Sequence, residues 1–160
     1  MASGDERADV PEGLNGAGLR IGVVRARWNA EIIDRLADGV HRGLSGMGVR
    51  TVIEHSVPGS YEIPMATKLL AASGQVDAIV TIGAVIRGET THYELVAGEC
   101  GRGVQQAQLD TGVPVTFGVL TVENLDQALA RSEGPGGHNV GEEAAVGAVE
   151  MARLAQTLQR

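Results

Sequence analysis

The stretch "DAIVTIGAVI", residues 77–86, decides how the chain folds. After its leading aspartate it carries only apolar or small side chains apart from Thr81, with no polar residue on every second position. A strand that reads this way is covered on both faces, as in a parallel sheet sandwiched between helices. Three further runs rich in Val and Ile share its character: "LRIGVVRAR" (19–27), "VRTVIEHSV" (49–57) and "PVTFGVLTV" (114–122).

The segments between these runs read as helices. "AEIIDRLADGVHRGLSGMG" places Ile33, Leu36, Ala37, Val40 and Leu44 close to the i, i+3, i+4, i+7 spacing of an amphipathic helix. "EIPMATKLLAAS", "THYELVAGECGRGVQQAQLD", "ENLDQALAR" and the C-terminal "EEAAVGAVEMARLAQTLQR" behave alike. Strands alternating with helices imply right-handed crossovers and a parallel sheet. The expected architecture is α/β: a three-layer, flavodoxin-like domain with a four-stranded parallel sheet flanked by helices. Residues 18–160 form this single domain, and residues 1–17 are expected to be a flexible acidic tail. The glycine-rich "EGPGGHNVGEE" (133–143) is too irregular at its start for helix or strand.

Composition narrows the function. Thirteen Lys and Arg against twenty Asp and Glu give a formal charge of −7, which disfavours nucleic acid and anionic membrane as partners. The one cysteine, Cys100, excludes an internal disulfide and a multi-thiolate metal site. The histidines, His41, His55, His92 and His138, lack zinc-ligand spacing, so no metal is expected. No stretch approaches a membrane span, and "MASGDERADVPEG" has neither the basic start nor the apolar run of a signal peptide. A cytoplasmic protein is the expectation.

In open α/β sheets, ligands bind beyond the carboxyl ends of the strands. There the chain places Trp28-Asn29 after the first strand, "SVPGSYEIP" after the second and "AVIRGETTH" at the end of the third, while Phe117 lies within the fourth. Aromatic residues number only one Trp, one Phe and two Tyr, so the position of Trp28, Tyr61 and Phe117 suggests either a site for a flat ring or plugs for the sheet's rim. Glu62 fits a polyol acceptor, or a first-turn carboxylate facing a helix dipole.

"GETTHYE" (88–94) has its own logic. Thr91 and Glu94 fit the S/T-x-x-E capping box, which predicts a helix start near His92. The N–H groups from Glu89 to Thr91 would then form an anion pocket at the positive end of a helix. His92 also shares a helical face with Val96, Cys100 and Val104, so its spacing equally suits a core histidine. Arg131 reads as a solvated charge or as a phosphate ligand.

Together, "VPGSYEIP", "GAVIRGETTHYE" and "FGVLTVENLDQALAR", each after its strand, resemble the lumazine synthase family over residues 18–158. The resemblance implies condensation of 5-amino-6-(D-ribitylamino)uracil with 3,4-dihydroxy-2-butanone 4-phosphate, a step of riboflavin biosynthesis that needs no cofactor. It implies that Trp28 stacks on the pyrimidine beside Asn29. Ser60, Tyr61 and Glu62 hold the ribityl chain, and the backbone of Ala84, Val85 and Ile86 reads the pyrimidine. Glu89, Thr90 and Arg131 bind phosphate, and His92 transfers protons. Phe117 is similar to a residue that closes the site from the neighbouring subunit. The implied partner is thus a second copy of the chain: a homopentamer with active sites between adjacent subunits, which in some members assembles into icosahedral shells. One departure stands out. The family commonly has Asn-Lys-Gly where this chain has Asn139-Val140-Gly141. A riboflavin synthase of the archaeal type and a non-catalytic flavin- or lumazine-binding shell protein stay open as alternatives.

Overall fold

The computed structural model describes residues 9–159 of the chain. Its elements run β1 (Arg20–Ala26), α1 (Ala30–Gly46), β2 (Thr51–Val57), a 3₁₀ turn (Ser60–Glu62), α2 (Ile63–Ala72), β3 (Ala78–Ile86), α3 (His92–Thr111), β4 (Val115–Val122), α4 (Leu125–Leu129) and α5 (Val140–Leu158). All strand pairs are parallel, in the order β2-β1-β3-β4. The four-stranded parallel sheet of a three-layer, flavodoxin-like domain, expected from the apolar runs, is therefore what the chain builds.

β3 is central, and its side chains from Ala78 to Val85 are buried on both faces. On one side Ile21, Val23, Val80 and Ile82 meet Ile33, Leu36 and Val40 of α1 and Ala145, Ala148 and Val149 of α5. On the other, Val24, Ile79 and Val119 meet Ile63 and Leu70 of α2 and Cys100 and Val104 of α3. Each fully buried Ile or Leu contributes roughly 1.5–3 kcal/mol by removal from water.

Residues 1–8 of the expected acidic tail lie outside the described residues. Residues 9–17 run to the edge of the domain, where the Gly16 N–H donates to Met47 O at 2.6 Å. Arg153 of α5 donates to Asn15 O and Ala17 O, at 2.9 and 2.8 Å. Among the described residues, no helix is long and apolar enough to cross a membrane.

Strand order places a topological switch between β1 and β3: the chain leaves β1 for one edge, then crosses back to β3 on the other side. Connections diverge there, and a crevice opens at the carboxyl ends.

Candidate functional site

A cleft of about 680 Å³ occupies that crevice. It is lined by Trp28 and Asn29 after β1, residues 59–62 after β2, residues 84–86 at the end of β3, and His92, Leu95, Val96 and Glu99 of α3. Four separate segments thus converge on one volume, large enough for a ligand of drug size.

Local sequence explains the shape. Asn29 adopts the left-handed conformation at φ 64, which asparagine tolerates better than other side-chain-bearing residues. It precedes α1 without capping it. Instead its Nδ2 donates to Ala84 O at 2.8 Å, tying the end of β1 to the end of β3. Gly59 lies beneath Trp28 and beside Glu62: a Cβ there would stand 3.1 Å from Trp28 Cδ1 and 3.2 Å from Glu62 Oε2. Glycine at 59 lets the indole and the carboxylate approach the same backbone. A Cβ on Gly83 would fall 2.5 Å from Ser60 Oγ, so a bare backbone at that point of β3 makes room for the hydroxyl.

Trp28 is 75% exposed and Tyr61 is 61% exposed, so neither ring plugs the sheet's rim. Cys100 and Val104 are buried while His92 is exposed on the cleft, so the core-histidine placement does not describe it. Burial pushes the Cys100 thiol up to about 12, which leaves it inert at neutral pH. Among the described residues, no group of three or more His, Cys, Asp or Glu could hold a metal ion.

The helix does begin at His92, but the expected capping box does not form. Thr91 lies at φ −71, ψ 0 and makes no side-chain cap. Thr91 is already in helical conformation, unlike an N-cap residue, and the Glu94 carboxylate is engaged by Arg87. Thr90 Oγ1 accepts from the His92 N–H at 3.3 Å instead.

The family model for 6,7-dimethyl-8-ribityllumazine synthase matches residues 18–156. A 6,7-dimethyl-8-ribityllumazine synthase of Azoarcus sp. (strain BH72) is 43% identical over 161 residues, covering 99% of this chain and all of the relative. One from Paraburkholderia phymatum is 48% identical, covering 92% of this chain and 84% of the relative. Another, from Burkholderia multivorans, is 47% identical over the same shares. The chain belongs to the lumazine synthase family.

Four of the residues singled out by likeness to the lumazine synthase family do not line the cleft. Glu89 and Thr90 sit on the exposed turn that joins two lining residues, Ile86 and His92. Phe117 is 39% exposed on the edge strand β4, opposite Thr81 and against Gly101 of α3. That register puts it three residues, about 10 Å, below the level of Ala84. Arg131 is half-buried beyond α4; its Nη1 donates to Gln127 O at 3.0 Å and its carbonyl accepts from the Val140 N–H at 2.9 Å. His138, beside the family's missing lysine, has Nε2 3.0 Å from Glu143 Oε1.

Sequence reasoning passed over Gly59, Leu95, Val96 and Glu99 as lining residues. Glu99 carried a signal: Arg102 stands three positions on, and hydrogen bonds from its guanidinium hold the Glu99 carboxyl below its ordinary value. Leu95 carried another, an exposed leucine nine residues after the strand's end.

Proposed function

We propose that this chain is a lumazine synthase, condensing 5-amino-6-(D-ribitylamino)uracil with 3,4-dihydroxy-2-butanone 4-phosphate to 6,7-dimethyl-8-ribityllumazine in riboflavin biosynthesis. The supporting observation is the convergence of Trp28, residues 60–62, residues 84–86 and His92 on one cleft at the switch point. The pyrimidine stacks on Trp28, its edge meets the backbone at the end of β3, and the ribityl hydroxyls reach Ser60 and Glu62. The phosphate lies against the N–H groups of the turn 88–91, at the positive end of α3.

The amine adds to the ketone and loses water to give a Schiff base. Elimination of phosphate then makes the electrophile that the ribityl-bearing nitrogen attacks, and a second water leaves on ring closure. His92, beside both the anion turn and the ring site, moves protons between these steps. Holding two substrates in register supplies most of the acceleration, since orientation alone is worth up to roughly 7–11 kcal/mol.

Phe117 and Arg131 stand apart from the cleft of their own chain and complete the site of an adjacent copy. The active unit is therefore a homo-oligomer, a pentamer by family likeness, working in the cytoplasm. No metal or organic cofactor enters the scheme.

The test mixes purified protein with both substrates, subtracts the uncatalysed condensation, and follows lumazine fluorescence and phosphate release. Saturable turnover is expected. A folded, oligomeric protein that binds the pyrimidine but turns over no faster than background is instead a binding shell.

A further inference from the structure

The turn 88–91 joins the two halves of the cleft, yet it does little to hold itself. Within it, Thr90 Oγ1 accepts from the His92 N–H at 3.3 Å, and the Thr91 carbonyl accepts from the Leu95 N–H at 3.5 Å. Arg87, the first residue past β3, supplies the missing constraint. Its N–H donates to Val122 O at 2.9 Å, extending the β3–β4 ladder. Its Nε donates to Glu123 Oε2 at 2.7 Å, and Nη1 meets Glu94. The guanidinium lies 4.2 Å over the ring of Tyr93. One side chain therefore touches the first turn of α3 and the connection from β4 to α4, the helix that leads to Arg131.

We propose that Arg87 is a positioning residue for this reaction: it clamps the turn 88–91 and the start of α3 against the end of β4, fixing the anion-binding N–H groups and His92. The inference rests on reading that turn as the phosphate site. Only a planar fork makes two ion pairs and a stacked contact together; a lysine keeps the charge and loses the geometry. The clamp stands outside both core layers, so its loss loosens the turn and leaves the sheet packed. Arg87 is not a phosphate ligand here, because two carboxylates already engage it.

Steady-state kinetics separate clamp from charge. Arg87→Met is expected to raise KM for the phosphate-bearing substrate about tenfold, as a turn displaced by less than an ångström would, with the pyrimidine's KM within about twofold. Glu123→Ala decides the cause. A clamp predicts a higher KM for the phosphate substrate, although the variant removes a negative charge; a lower or unchanged KM overturns the proposal. Hydrogen exchange reads the clamp independently of turnover, so it stands or falls even if the wild-type protein proves inactive. In Arg87→Met the amides of Leu95 to Gly98, the first hydrogen-bonded turn of α3, should exchange faster, while those of α1 and β3 keep their protection. Unchanged exchange in that turn overturns the proposal.

Discussion

His92 lines the cleft from the first residue of α3, while Trp28, Asn29 and Glu62 line it from other segments. His92→Ala should therefore lower kcat by about 10²-fold, the worth of a general acid–base group, yet leave a rate above background. Rate measurements on a folded variant check this, and total loss of turnover would contradict it. Val140 begins α5, and its N–H donates to the carbonyl of Arg131 at 2.9 Å. Its apolar side chain packs against the core and adds no charge to the loop, where Arg35 donates to Ser132 O at 3.0 Å and His138 Nε2 lies 3.0 Å from Glu143 Oε1. Val140→Lys should lower KM for the phosphate substrate about threefold, the scale of one partly exposed ion pair. The gain should fade in high salt. A KM that does not move would mean that position 140 does not face the anion.

At the scale of elements, the α1–α5 contact fixes the Arg131 segment and depends on glycine. A Cβ on Gly141 would fall 2.3 Å from Leu36 O, and one on Gly39 would fall 2.1 Å from Asn139 Oδ1. Into that contact Asn139 sends a side chain that donates to Arg35 O and Glu133 O, at 3.0 and 2.9 Å, and caps α5 through the Glu142 N–H at 3.1 Å. Gly141→Ala should cost about 1–3 kcal/mol by overpacking, seen as a lower denaturation midpoint. The start of β1 depends on charge in the same way. Asp77 accepts from the Arg20 N–H at 2.7 Å and pairs with the Arg20 guanidinium at 3.0 Å. Partial burial opposes the charge on Asp77, but the hydrogen bonds from Arg20 outweigh it and hold the carboxyl below its ordinary value. A depressed folded value means that the stabilisation is present above the unfolded value of about 3.9 and is lost as pH falls below it. Asp77→Asn should thus cost about 1 kcal/mol at pH 7, with wild type and variant converging in acid unfolding curves. These examples mark where sequence reading ends. The run 77–86 announced the sheet because burial on both faces leaves a local trace, and the helical periods survive for the same reason. Glu94 misled because the capping box is a local rule, whereas Arg87 reached it from a strand end seven residues away. Asn29 was legible as a site residue, but not its bond to Ala84, which spans fifty-five positions.

On the whole molecule, the α2–α3 layer leaves several large apolar side chains uncovered. Met65 and Leu69 of α2 are 68% and 64% exposed, and Leu95 and Leu109 of α3 are 63% and 70% exposed. Met65 and Leu69 are four apart and so share a face. Leu95 and Leu109, fourteen apart, lie within about 40° of each other around α3 at 3.6 residues per turn. Helices α2 and α3 cover the same face of the sheet, and Lys68 of α2 meets Asp110 of α3 at 3.3 Å. Exposed leucines stand on α5 as well, so the test of an interface at the α2–α3 layer is the mass of the protein in solution. The same layer faces Phe117, which reaches no cleft of its own. If copies of the chain meet there, native mass should be a multiple of 16.6 kDa, measured by light scattering after size exclusion. Leu69→Glu should then drive the protein toward the single-chain mass, because a charge buried against apolar neighbours carries a desolvation cost without a partner. Turnover should fall with the mass, since Arg131 would no longer sit beside another copy's His92. A monomeric Leu69→Glu variant with full turnover would show instead that one chain completes its own site, and the division of the site between copies would have to be abandoned.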